Sequence, residues 1–170
     1  MTTNAIKTDA FRYDDVKAYL FAILFTAGNL LLPQLCHLAP NGGLMLLPIY
    51  FFTLIAAYKY GWTVGLMTAL FSPLANHYLF GMPVVEMLPV ILVKSTLLAS
   101  AAVLVSQRTN AVSLWSLLVV VLAYQVVGTL IEWAIVKDFL VALQDFRLGI
   151  PGMLIQVLGG YGVLRLISKY

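Results

Sequence analysis

Apolar residues run in six long blocks, and polar residues are confined to the short stretches between them. The blocks cover 17–36, 44–58, 62–80, 84–106, 112–136 and 149–168. A run of about 20 apolar residues spans the hydrocarbon core of a bilayer as one α-helix. The pattern therefore predicts six transmembrane helices. The second block is short and contains Pro48. It is expected to cross at a thin place or to lie partly re-entrant against its neighbours. Glycine- and proline-bearing turns separate the blocks: APNGG at 39–43, YKYG at 58–61, FGMP at 80–83, with SQRTN at 106–110. The amphipathic stretch 137–148, KDFLVALQDFRL, is expected at the interface as a cap, gate or connector.

The fold expected is an all-α membrane protein, a compact bundle of six transmembrane helices in one domain over residues 1–170. Composition agrees, with 62% hydrophobic and only 10% charged residues, against about 25% charged in soluble domains. The net charge of +3 never gathers into a basic run, so no nucleic-acid partner is expected. With six crossings, Lys7, Arg12, Lys17, Lys59, Arg108, Arg165 and Lys169 share one side. Lys137 and Arg147 share the other with Asp138 and Asp145. The positive-inside rule places both termini in the cytoplasm and 137–148 outside. Residues 1–16 form a polar cytoplasmic segment without the pattern of a secretory signal. The single cysteine, Cys36, excludes an internal disulfide.

This orientation gives each polar membrane residue a depth, and most fall toward the outer face. Asn29, Gln34 and His37 lie toward the outer end of the first span, and Asn76 and His77 end the third. Glu86 stands at the mouth of the fourth, with Lys94 about two turns deeper. Gln125 is near mid-depth in the fifth, with Glu132 and Trp133 in its outer half, and Gln156 is in the outer half of the sixth. Gln125, Thr129 and Glu132 repeat at i, i+4 and i+7, on one helical stripe. Gly152, Gln156, Gly159 and Gly160 make a stripe with small residues on the sixth span. A polar pocket open to the outside is expected, lined by Lys94, Glu132, Trp133, Gln125, Gln156, Asn76, His77, Glu86, Asn29 and His37.

A charge inside an apolar helix costs about 2.5–3.5 kcal/mol on insertion scales and usually marks a ligand site or pathway. Two readings of Lys94 stand open. It meets a carboxylate or phosphate of a ligand, or it forms a structural ion pair with Glu132, or with Glu86 through water. Glu132 is equally divided between a ligand and Lys94, and Trp133 between stacking on a ligand ring and an aromatic belt. His37 and His77 have no third ligand at a characteristic spacing, so no metal is expected. There is no Walker A loop and no nucleophile beside an evident base. Neither a cofactor nor enzymatic activity is expected.

Ala18, Ala22 and Thr26 recur every four residues in the first span. Such ridges pack against helices, either within the bundle or on a partner. Together with AYLFA in the first span, the region LLPIYFFTLIAAYKYGWTVGLMTALFSPLANHYLFGMP resembles the substrate-binding S component of energy-coupling factor (ECF) vitamin transporters. The resemblance covers nearly the whole chain. It implies a prokaryotic cell-membrane protein that captures a vitamin or cofactor precursor from outside. It also implies partners, a transmembrane coupling protein and two ATP-binding cassette ATPases, with Ala18 and Ala22 docking on the former. Many relatives carry a glutamate where this chain has ILVKSTLLAS around Lys94. The two charges, Lys94 and Glu132, point to an anionic or zwitterionic ligand. The alternative is a small membrane enzyme acting on a lipid or isoprenoid phosphate. It lacks the clustered carboxylates or arginines that such chemistry needs.

Overall fold

The computed structural model describes residues 10–38, 41–109 and 111–168. Lys7, residues 39–40 of the first turn, Asn110 and Lys169 lie outside the described residues, as does the side chain of Asp145. The described chain is helical throughout, with no strand. Its elements are α1 (Val16–Cys36), α2 (Gly42–Leu46), a 3-10 turn (Pro48–Tyr50), α3 (Phe51–Phe80), α4 (Leu88–Arg108), α5 (Leu114–Val136), α6 (Phe139–Leu148) and α7 (Ile150–Ile167). Asp15 starts α1 by accepting a hydrogen bond from the Lys17 N–H at 2.9 Å. Ser113 and Ser116 start α5 with a reciprocal capping box.

The second apolar block is not one helix from 44 to 58. Leu47 adopts a left-handed conformation (φ 47, ψ 47), which ends α2. Pro48 cannot donate a backbone hydrogen bond and opens the 3-10 turn instead. A regular helix resumes only at Phe51.

Within α3 two helical arms, 51–60 and 62–80, meet at Gly61, which sits at φ 80 and ψ −162, outside helical space. The chain doubles back there. The Asn29 Nδ2 donates to both Thr53 Oγ1 and Ser72 Oγ, each at 3.0 Å. In a continuous helix those two residues would stand about 28 Å apart. A Cβ on Gly65 would also fall 2.7 Å from Cα of Ala57, so the two arms pack backbone to backbone. Five stretches are long and apolar enough to cross a membrane: Val16–Cys36, Gly42–Phe80, Leu88–Arg108, Leu114–Val136 and Ile150–Ile167. The second of these is the folded hairpin, so six segments run back and forth.

Contacts fix the two ends of the bundle. At one end, Thr63 Oγ1 donates to the Phe11 carbonyl at 2.8 Å. The Tyr58 hydroxyl lies 3.1 Å from both Thr109 Oγ1 and Ser116 Oγ. At the other end, the His37 ring lies over Gly43, and Gly152 of α7 abuts the Leu46 backbone. Helix α7 then passes Leu54 and Leu117 at Gly160 and finishes at the first end, where α1 starts.

Ala18 and Ala22, expected as a docking face by the resemblance, are instead buried in the core of their own bundle. Their small side chains let α1 pack closely against α3. Thr26 continues the ridge, and its Oγ1 is buried without a hydrogen-bond partner.

The outer faces carry large apolar side chains, among them Leu20, Ile23 and Leu24 on α1, Val119, Val126 and Leu130 on α5, and Leu154 and Leu158 on α7. The interior holds Asn29, Lys94, Gln125, Glu132 and Gln156. A water-soluble bundle distributes these residue types the other way round.

Candidate functional site

Helices α4 and α5 run antiparallel, and α5 turns one stripe toward α4. That stripe holds Gln125, Gly128, Thr129 and Glu132, spaced at i, i+3, i+4 and i+7. Gly128 makes room on it. The stem of Lys94 lies across this glycine, with Cγ 2.7 Å from where a Cβ would stand. The stem leads the ammonium to Glu132 one turn further on, where Nζ donates to Oε2 at 2.5 Å. Lys94 is 0% exposed and Glu132 4%. The pair is buried from solvent, so its charges rely on partners inside the protein. It sits about 9 Å along α4 from the helix start, in the half nearer the second end of the bundle.

Polar groups continue from the pair along α5 and across to α7. Both amide atoms of Gln125 and the hydroxyl of Thr129 are buried without a hydrogen-bond partner. Gln156 of α7 accepts from the Tyr124 hydroxyl at 3.1 Å, while its Nε2 has no partner. Tyr124 in turn packs against Tyr50, with ring centroids 5.4 Å apart. Each buried polar atom left unpaired costs about 1–3 kcal/mol. Four such atoms beside a buried ion pair form a surface suited to a polar ligand.

A second feature shares α4 with this node. A cavity of about 180 Å³ opens between the end of α1, α2, the 3-10 turn, the end of α3 and the start of α4. Its wall is mostly apolar, with Pro33, Pro48, Ile49, Pro83 and Ile91, and its polar groups come from Gln34, His37 and Asn76. Ile91 is one helical turn from Lys94, so cavity and ion pair share a stretch of α4.

The single pocket expected from the sequence thus divides. Lys94, Glu132, Gln125 and Gln156 lie in the buried node, and His37 and Asn76 line the cavity. His77 is beside it, its Nδ1 2.7 Å from the Pro83 carbonyl oxygen, to which it donates. Three residues fall elsewhere. Asn29 is committed to packing: its Nδ2 holds Thr53 and Ser72, and its Oδ1 accepts from the Phe52 N–H at 3.1 Å. Glu86 is exposed in the turn before α4. Trp133 is exposed and packs edge-on against Phe139. Among the described residues no three His, Cys, Asp or Glu side chains converge as a metal site.

Sequence reasoning passed over Gly128, Tyr124 and Tyr50. Gly128 carried a signal, since it lies on the Gln125–Glu132 stripe where a small residue admits a long side chain. The two tyrosines carried none, because their pairing depends on the break at Leu47. No protein-family model, curated protein or solved structure matches the chain.

Proposed function

We propose that this chain is an integral membrane protein of the prokaryotic cell membrane and the substrate-capture subunit of an ECF-type importer. Both termini are then cytoplasmic, and the second end of the bundle faces outward. The apolar exterior and polar interior support the membrane reading. The observation that carries the binding reading is the Lys94–Glu132 pair, flanked by the unpartnered groups of Gln125, Thr129 and Gln156. A buried pair by itself contributes little to stability, and unpaired amides beside it detract. The arrangement makes sense as a site that trades internal contacts for contacts with a small anionic or zwitterionic vitamin or cofactor precursor. The opening beside Ile91 supplies a way in from the outer end. A coupling protein and two ATPases would drive the release inward.

The test is affinity purification of the tagged chain from its own cells in mild detergent. Mass spectrometry of the preparation is expected to find a bound small molecule in wild type that is missing from Lys94→Ala, together with a transmembrane partner and ATPase subunits. A wild-type preparation with lipid-phosphate turnover and no ATPase partner overturns the reading.

A further inference from the structure

We infer that the molecule captured here is neutral overall, a single-ring compound carrying one cationic and one anionic group. The inference rests on the capture reading and narrows its substrate class. Lys94 and Glu132 cancel each other, and both are sealed from water. A plain anion entering beside Lys94 would leave two negative groups facing one positive group in a dry interior. A plain cation beside Glu132 would leave the reverse. A molecule with both signs splits one internal pair into two ligand pairs and keeps the interior neutral. Gln125 and Gln156 fit this exchange, because a primary amide both donates and accepts. With Nε2 and Oε1 of Gln125 and Nε2 of Gln156 unpartnered, polar contacts of either sense are on offer.

The cavity on the same stretch of α4 limits the size of the ligand. An apolar cavity of about 150 Å³ accepts benzene. The cavity that Ile91 lines, one turn along α4 from Lys94, measures about 180 Å³, enough for one six-membered ring with small substituents. Its prolines and isoleucines suit the ring, and Ile91 brings the ring's edge within one turn of Lys94.

The experiment has two arms on the purified full chain in lipid nanodiscs. In the first, the chain is incubated with the small-molecule extract of its source cells, washed, and the retained compound identified by mass spectrometry. In the second, equilibrium dialysis compares benzoate, benzylamine and para-aminomethylbenzoate. The expected result is a retained single-ring zwitterion, and a preference for para-aminomethylbenzoate over the other two of roughly tenfold or more, since an uncompensated buried ion costs at least that much. Glu132→Gln is expected to move the preference to benzoate, and Lys94→Met to benzylamine. The double variant Lys94→Met/Glu132→Gln buries no charge, guards against loss of folding, and is expected to bind the three probes alike. A retained compound with a net charge, or benzoate bound as tightly as the zwitterion, overturns the inference and leaves capture standing. A wild-type chain that retains no compound from the extract overturns capture itself, and the inference with it.

Discussion

The stem of Lys94 lies directly over Gly128, and that glycine is what lets a lysine cross from α4 to a carboxylate on α5. A methyl group at position 128 would stand 2.7 Å from Lys94 Cγ and 3.3 Å from its Cε. The stem is flexible, but its far end is held by Glu132. Gly128→Ala is therefore expected to destabilise the protein by about 1–3 kcal/mol, as overpacking does, and to weaken ligand retention. Gly162→Ala is the control, because nothing lies within 4 Å of a Cβ there. Its helix is expected to gain up to about 1 kcal/mol. Thermal unfolding in detergent reads both. Equal melting temperatures for the two variants would remove Gly128 from the account of the site.

Asn29 tests whether a buried polar residue serves the fold and not the ligand. Its side chain joins α1 to both arms of α3, and Asn76 Nδ2 ties in by donating to the Asn29 carbonyl at 2.9 Å. Asn29→Ala takes away the partner of the Phe52 N–H and of the Ser72 hydroxyl, and leaves Thr53 with its bond to the Ile49 carbonyl at 3.5 Å. A loss of at least about 1–3 kcal/mol is expected, the cost of one such group left unpaired. The folded fraction is expected to keep the charge preference of wild type in the dialysis assay. A changed preference with unchanged stability would return Asn29 to the binding site.

These two cases show what the sequence disclosed. Apolar block length placed α1, α4, α5 and α7 to within a few residues, because length and composition alone decide that. The Gln125–Glu132 stripe was readable from helical spacing, and the Lys94–Glu132 pair was one of two open readings. Side-chain partners were not readable. Whether Asn29 meets a ligand or Thr53 depends on how α3 folds back at Gly61, which is a tertiary fact. The alanine ridge had the same ambiguity, since Ala18 and Ala22 suit a neighbour in the bundle as well as a partner outside. The break at Leu47 left no mark, because leucine rarely adopts a left-handed conformation.

The turn within α3 depends on glycine in a way that the turn after it does not. Gly81 caps the helix at φ 68 and ψ 11, a left-handed conformation that asparagine also visits. Gly61, at φ 80 and ψ −162, lies in a region essentially reserved for glycine. Gly61→Ala and Gly61→Asn are each expected to cost about 1–3 kcal/mol. Gly81→Asn is expected to be close to neutral. Unfolding midpoints for the three variants check the order. A Gly61→Asn variant as stable as Gly81→Asn would mean that the hairpin does not need this backbone geometry.

The hairpin also makes the membrane topology testable. Counting α3 as one crossing gives five passes, and counting it as two gives six with both termini inside. The turn at Gly61 and the turn after Gly81 lie at opposite ends of the bundle, so they report on opposite faces of the membrane. Cys36 is the only native cysteine, and Cys36→Ala provides a clean background. Single cysteines replace Trp62 and Arg108 at the first end, and Met82 and Gln144 at the second; all four positions are exposed. A membrane-impermeant maleimide added to intact cells (spheroplasts if an outer envelope blocks it) is expected to label Met82→Cys and Gln144→Cys. Trp62→Cys and Arg108→Cys are expected to react only after permeabilisation. Labelling of positions 62 and 82 from the same face would show that α3 does not cross twice. The outward placement of the Lys94–Glu132 node would then have to be abandoned.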